Sequence, residues 1–131
     1  MRPWPPHLLA SSAYLALPGA LLAWLGMIGM FYCRNYLGRF WTAETALQAN
    51  HQVVDSGPYR AVRHPIYTCA CTMYLGTALV FAAWWNGLIA GLVTLGYAFK
   101  AKLEDEFLAR NLPSYQDYCQ RVRYRLLPGI W

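Results

Sequence analysis

From Leu8 to Tyr32 the chain runs 25 residues without a formal charge, and nothing else in it constrains the fold as tightly. Wound as an α-helix this run would be about 37 Å long, enough to cross a hydrocarbon core of about 30 Å with some tilt. Pro18-Gly19 interrupts it and predicts a kink. A cleavable signal peptide is the competing reading. The run is long for the apolar part of such a signal and only Arg2 precedes it, so a retained anchor is expected. Gly19, Gly26 and Gly29 lie along it and permit close helix approach. Composition agrees: hydrophobic residues make up 57% of the 131 and charged residues 13%, too apolar for a small soluble domain.

Where the charge sits says more than its sum. The formal net charge is +5, yet ten of the eleven Lys/Arg and all six acids follow residue 33. Basic residues gather on the cytoplasmic side, so the charged end of each span is expected there. They are interleaved with apolar runs and form no soluble basic face, which argues against nucleic-acid binding. Cys33, Cys69, Cys71 and Cys119 make no C-x-x-C pair, so neither a disulfide nor a metal site is expected.

Residues 1–7 form a proline-rich lead, and Cys33 to Trp41 is a basic, aromatic extension of the first span. Thr42 to Ser56, with Glu44, His51 and Asp55, is the natural candidate for a loop over a site, although His51 alone reads as a solvated loop histidine. Then comes Gly57-Pro58-Tyr59-Arg60-Ala61-Val62-Arg63-His64-Pro65-Ile66-Tyr67, a polar collar directly before an apolar run. Gly57-Pro58 predicts a turn, and Pro65 suits the first position of a helix. A helix start beside Arg60, Arg63 and His64 favours an anionic group. Ordinary interface anchoring is the bland account of the same residues.

Ile66 to Ala83 predicts an apolar helix, Trp84-Trp85-Asn86-Gly87 an interfacial turn, and Leu88 to Phe99 a return helix that continues in polar residues. Helical spacing puts Tyr97, Ala101, Glu104 and Leu108 on one stripe, and His64, Tyr67, Cys71 and Tyr74 on another. The two stripes can meet as a polar cluster around Glu104. In the tail, Ser114 is expected to cap a short helix bearing Tyr115 and Tyr118. Arg121, Arg123 and Arg125 alternate with apolar residues, which predicts an extended piece against lipid headgroups. The fold class expected is all-α, a polytopic membrane protein of about three transmembrane helices with a helical hairpin and a short cytoplasmic helix and tail.

With these pieces placed, the chain resembles the isoprenylcysteine carboxyl methyltransferase family and its phospholipid methyltransferase relatives. The likeness rests on Gly57 to Tyr67, on Glu104 with Asp105, on Tyr115 with Tyr118, and on Arg125-Leu126-Leu127-Pro128, with Gly38-Arg39-Phe40-Trp41 upstream. It implies an integral membrane enzyme using S-adenosyl-L-methionine and leaving S-adenosyl-L-homocysteine. Residues 1–34 would be the lead and first span, and 35–131 a methyltransferase-like domain. That domain would divide into a cytoplasmic loop 42–63, a hairpin 64–103 and a cytoplasmic end 104–131. By the same likeness Tyr59, Arg63, His64, Pro65, Tyr67, Glu104 and Asp105 would hold the cofactor. Arg60, Arg121 or Arg123 would clamp an acceptor carboxylate; Glu104 or His64 would deprotonate an amine acceptor instead. Two departures stand out: Cys69 replaces a glycine and is expected to crowd a ligand's approach, and Asp105 replaces a glutamate and is expected to reach less far. With a single span before the domain, the acceptor pocket is expected to open to lipid or be completed by a second copy. A phospholipid or amine N-methyltransferase, an NADPH-dependent membrane reductase and a non-catalytic scaffold are the rival readings.

Overall fold

The computed structural model describes residues 6–41, 47 and 50–131, with side chains from residue 14 onward. Among them lie four α-helices and no strand: α1 (Pro6–Leu37), α2 (Pro65–Phe81), α3 (Trp84–Asn111) and α4 (Pro113–Arg121), with 3-10 turns at Gly38–Phe40 and Gly57–Arg60. This is the all-α hairpin architecture expected. Glu44, in the predicted loop, falls outside the described residues.

Helix α1 is not interrupted at Pro18 but runs through it. Proline inside an apolar helix is tolerated where a neighbouring helix packs against it, and α2 lies along α1. The two backbones touch. A Cβ on Gly76 would lie 2.3 Å from the Ala23 nitrogen, and one on Gly26 would lie 2.5 Å from the Met73 nitrogen. Cys69 belongs to this same seam: a Cβ on Gly29 would sit 2.7 Å from its sulfur. It therefore fills a helix–helix contact. Outward, Trp24, Leu25 and Ile28 stay at least 60% exposed, as lipid-facing side chains do. Among the described residues α1 is the helix long and apolar enough to cross a membrane; α2 is a shorter apolar helix of 17 residues.

The hairpin turn is tighter than the sequence suggests. Ala82, left-handed at φ 46°, closes α2, and Ala83 precedes α3. Trp84-Trp85-Asn86-Gly87 is thus the first turn of α3 and not a loop. The tryptophans are 77% and 54% exposed, which suits amphipathic rings expected at a membrane boundary. Helix α3 continues past Phe99 to Asn111.

Pro113 occupies the first turn of α4 behind Leu112, so Ser114 sits inside the helix and caps nothing. Arg121 is the last residue of α4 and not part of an extended segment. The tail does not lie free against lipid, because it turns back onto the collar. The N–H groups of Arg63 and His64 donate to the carbonyls of Tyr124 and Arg125, both at 2.9 Å. Thr68 donates its hydroxyl to Leu126 O at 2.6 Å. Tyr115, Tyr118 and Val122 form a small core beneath, against Val53, Leu108 and Leu112.

Candidate functional site

Three chain segments converge on the charged end of the hairpin. The collar enters through Gly57, whose φ of 56° suits glycine and where a Cβ would lie 2.5 Å from the Tyr36 ring. Pro65 starts α2 as its buried first residue, which sets His64 and Tyr67 one turn apart across the helix start. Opposite them α3 presents Glu104 and Asp105, and the tail brings Arg125.

Asp105 is the hub. Its Oδ1 lies 2.8 Å from His64 Nε2 and accepts the Tyr115 hydroxyl at 2.6 Å. Its Oδ2 accepts Arg125 Nε at 2.7 Å and lies 3.3 Å from Arg63 Nη1. Burial pushes this carboxyl up, but the hydrogen bond and charge of His64, with Tyr115 and Arg125, outweigh burial and hold it at about 2. An ionised carboxylate only accepts, so the hydrogen in the contact with His64 is carried by Nε2. The shortened side chain meets four side chains directly. The same carboxylate answers the cations at the start of α2, so the anion favoured there is supplied in large part by the protein itself. Burial, then the Asp105 charge, drive the Tyr115 hydroxyl far above its ordinary range and keep it a donor.

Glu104 has a different setting. Its Oε2 accepts the Tyr67 hydroxyl at 2.8 Å and lies 3.6 Å from His64 Nδ1. The Tyr67 ring stacks on His64 at 5.4 Å and on Tyr97 at 4.9 Å between centroids. Glu104 opens into a cavity of about 110 Å³, whose walls include Phe40, Trp41, His51, Tyr59, Arg63, His64, Tyr67 and Tyr118. Tyr59 is fixed at both ends, its hydroxyl donating to Cys33 O at 3.2 Å and its carbonyl accepting from Tyr118 at 2.7 Å.

Of the residues named from sequence, Tyr59, Arg63, His64, Tyr67 and Glu104 line this cavity, while Pro65 and Asp105 stand behind its wall. Arg60 is exposed and lines no part of it. Arg121 is also outside, paired with Asp55 at 2.7 Å, and Arg123 is exposed. His51, read as a solvated loop residue, instead lines the cavity with Gln52, Val53 and Val54. The Val53-Val54 pair inside a polar stretch was the signal that this loop packs inward. Burial lowers the His51 pKa, with the Glu104 charge opposing. Its ring meets Phe40 edge-on at 5.3 Å.

Among the described residues, two polar atoms around the cavity are buried without a hydrogen-bond partner, His51 Nδ1 and Arg63 Nε. A buried polar atom left unsatisfied costs about 1–3 kcal/mol, so such atoms mark places for a ligand's polar groups. Together with a carboxylate and several aromatic faces, they suit a zwitterionic amino acid bearing a sulfonium and a nucleobase. S-adenosylmethionine fits that donor set.

The sequence profile of the phospholipid methyltransferase family matches residues 15–114. The chain is 34% identical over 104 residues to the cobalt-zinc-cadmium resistance protein CzcN of Cupriavidus metallidurans, covering 78% of this chain and 47% of that protein. It is 31% identical over 105 residues to the nickel-cobalt-cadmium resistance protein NccN of Alcaligenes xylosoxydans xylosoxydans, covering 79% and 48%. The chain thus spans about half the length of these two relatives.

Proposed function

We propose that this chain, which belongs to the phospholipid methyltransferase family, is an integral membrane enzyme that transfers a methyl group from S-adenosylmethionine to a lipophilic acceptor such as an isoprenylcysteine-like carboxylate. The observation that carries this reading is the cavity in which Glu104, two unpartnered polar atoms and aromatic walls converge at the charged end of an apolar hairpin. When bound, the cofactor supplies a methyl group already activated on a sulfonium.

Each residue then has a role. Glu104 would take the cofactor's ammonium, with Tyr67 fixing the carboxylate's orientation. Arg63 Nε would meet its carboxylate, joined by His51 Nδ1 in the tautomer that carries the hydrogen there. Tyr59, Tyr67, Phe40 and Trp41 offer faces to a cation and a flat base. Asp105 is a positioning residue: it touches no cavity surface but holds His64 and Arg63 in place. The stretch from His51 to Val54 forms one wall of the cavity and would narrow the access of water to it. An ionised carboxylate acceptor is nucleophilic as it stands, so alignment and dryness are what the protein must provide. Arg60 and Arg121 lie outside the cavity lining and do not enter this reading. Arg34, Arg39, Arg63, Lys100 and Lys102 share the site's end of the bundle, which favours a cytoplasmic active site.

Titration calorimetry of the detergent-purified chain with S-adenosylmethionine and S-adenosylhomocysteine tests this. Saturable binding that Glu104→Gln abolishes is expected. A folded protein that binds neither would overturn the reading.

A further inference from the structure

Where the tail turns back onto the collar it also closes on itself. Gly129, at φ 83°, bends the chain so that the N–H groups of Ile130 and Trp131 donate to Leu127 O at 3.1 and 3.2 Å. The N–H groups of Arg125, Leu126 and Leu127 donate in turn to Trp131 O at 2.9, 2.9 and 3.1 Å. Pro128 has no N–H to satisfy. Gly129 apart, the residues from Arg125 to Trp131 thus need no water for their amide hydrogens. A loop bathed in water gains little from that. A loop that leaves water requires it, because a backbone group left unpaired there is costly. The side chains sort in the same sense. Leu126 is buried against the bundle, and its carbonyl accepts the Thr68 hydroxyl at 2.6 Å. Outward the ring presents Leu127, Ile130 and Trp131, 48%, 77% and 39% exposed, with Tyr124 exposed at its root.

We infer that residues 124–131 form an interfacial foot: Leu127, Ile130 and Trp131 enter the bilayer interface beside the start of α2, and their seat there holds the network around Asp105. Thr68 fixes the depth, since it lies in the first turn of α2. That helix has 17 residues without a formal charge, a length of about 25 Å, close to the thickness of a hydrocarbon core. Its first turn therefore belongs at a membrane boundary. The far end of the hairpin carries Trp84 and Trp85, and Tyr124 with Trp131 supply the matching aromatic belt at the charged end. A bilayer reaches this position wherever α2 crosses it, whereas a soluble partner would have to displace headgroups. The face that meets the collar is the other face of the same segment, and it joins the ring to the site at three points. Arg125 Nε donates to Asp105 Oδ2 at 2.7 Å while its Cζ lies 4.9 Å from the Trp131 ring centroid. The N–H groups of Arg63 and His64 donate to the carbonyls of Tyr124 and Arg125. A seated ring keeps these contacts closed; a released one takes Arg125 away from Asp105. Both roles follow from the bilayer and hold whatever the cavity binds.

The test is photo-crosslinking of the full chain in phosphatidylcholine nanodiscs, with p-benzoylphenylalanine placed in turn at positions 127 and 130. Position 25, on the outward face of α1, is the lipid-facing reference, and position 116, exposed on α4, is the water-facing one. Lipid adducts at 127 and 130 are expected near the frequency at 25 and at least about tenfold above that at 116, the partition ratio of one apolar side chain. The hold on the network is read by trypsin in the same nanodiscs. Leu127→Asp with Ile130→Asp should speed cleavage after Arg123 and Arg125 by roughly tenfold, on the same partition argument, and Leu127→Phe with Ile130→Phe should leave it unchanged. Both side chains are already exposed in the fold, so a ring that merely faced water would accept the aspartates without effect. Lipid adducts no more frequent than at 116, adducts with a second copy of the chain in place of lipid, or unchanged cleavage in the aspartate variant would each overturn the inference.

Discussion

The two ends of this bundle are held together by opposite means. Between α1 and α2 the seam is made by side chains that are absent, Gly19 against Gly76 and Gly26 against the Met73 backbone, so that backbone meets backbone. At the charged end the contacts are made by side chains at full reach, five of them gathered on or next to Asp105 and Glu104. Solvent explains the difference. Within lipid there is no hydrophobic drive to press two apolar helices together, so close packing must do it. Outside it, a buried ion survives only with partners on every side, and the network that satisfies Asp105 also ties down the tail, the collar and the cavity wall. The seam is tolerant of chemistry and intolerant of volume; the network is the reverse.

The largest effect therefore belongs to a change of volume in the seam. Gly76→Leu would drive a side chain into the Ala23 backbone, which cannot yield as a flexible side chain would. A loss above about 4 kcal/mol is expected, in the range reserved for such clashes. It should be read as failure to recover monodisperse protein after gel filtration. Gly91→Leu provides the contrast, since no atom lies within 4 Å of a Cβ built there. Equal behaviour of the two variants would break the account of the seam.

Next comes a change of charge with volume conserved. Asp105→Asn keeps the shape but leaves Arg63 and Arg125 facing a neutral amide, and breaking a buried ionic cluster on one side costs about 3–5 kcal/mol. Because Arg125 anchors the tail, trypsin should cut after Arg123 and Arg125 faster in this variant well below its melting temperature. Unchanged melting and proteolysis would show that Asp105 is not the hub. Acid probes the same group without mutation. Its carboxyl is held at about 2, below the ordinary 3.8, so its contribution is complete above pH 4 and is lost as pH falls towards 2. About 2 kcal/mol should disappear across that window, absent in Asp105→Asn.

Sequence reasoning reached these two regions unequally. The helices, the hairpin and the meeting of Tyr67 with Glu104 are written in apolar run length and helical spacing, both of which are local. The hub was not legible. Asp105 looked like a weakened glutamate because its partners, Arg125 and Tyr115, arrive from a tail that spacing alone sends to the membrane surface. His51 escaped for the same reason: whether a loop histidine is solvated depends on what Phe40 and Val53 pack against, and no periodicity records that. The hairpin turn was misplaced because Ala82 carries the left-handed residue where a glycine would have announced it.

The smallest effect lies at the rim of the network and marks where it ends. Asp55 and Arg121 pair at 2.7 Å, joining the segment that lines the cavity to α4, but their side chains remain 40% and 63% exposed. An exposed pair has high-dielectric surroundings and two mobile side chains to immobilise, so it contributes less than about 1 kcal/mol. Asp55→Asn should shift melting by no more than that, and the shift should fade by 0.5 M salt, at which the Debye length drops to roughly 4 Å. Asp105→Asn, by contrast, should keep its full effect in salt, since its partners are buried and poorly screened. If instead Asp55→Asn matched Asp105→Asn in size and salt resistance, the His51–Val54 wall of the cavity would belong to the buried network. That segment would then be held as firmly as the rest of the wall.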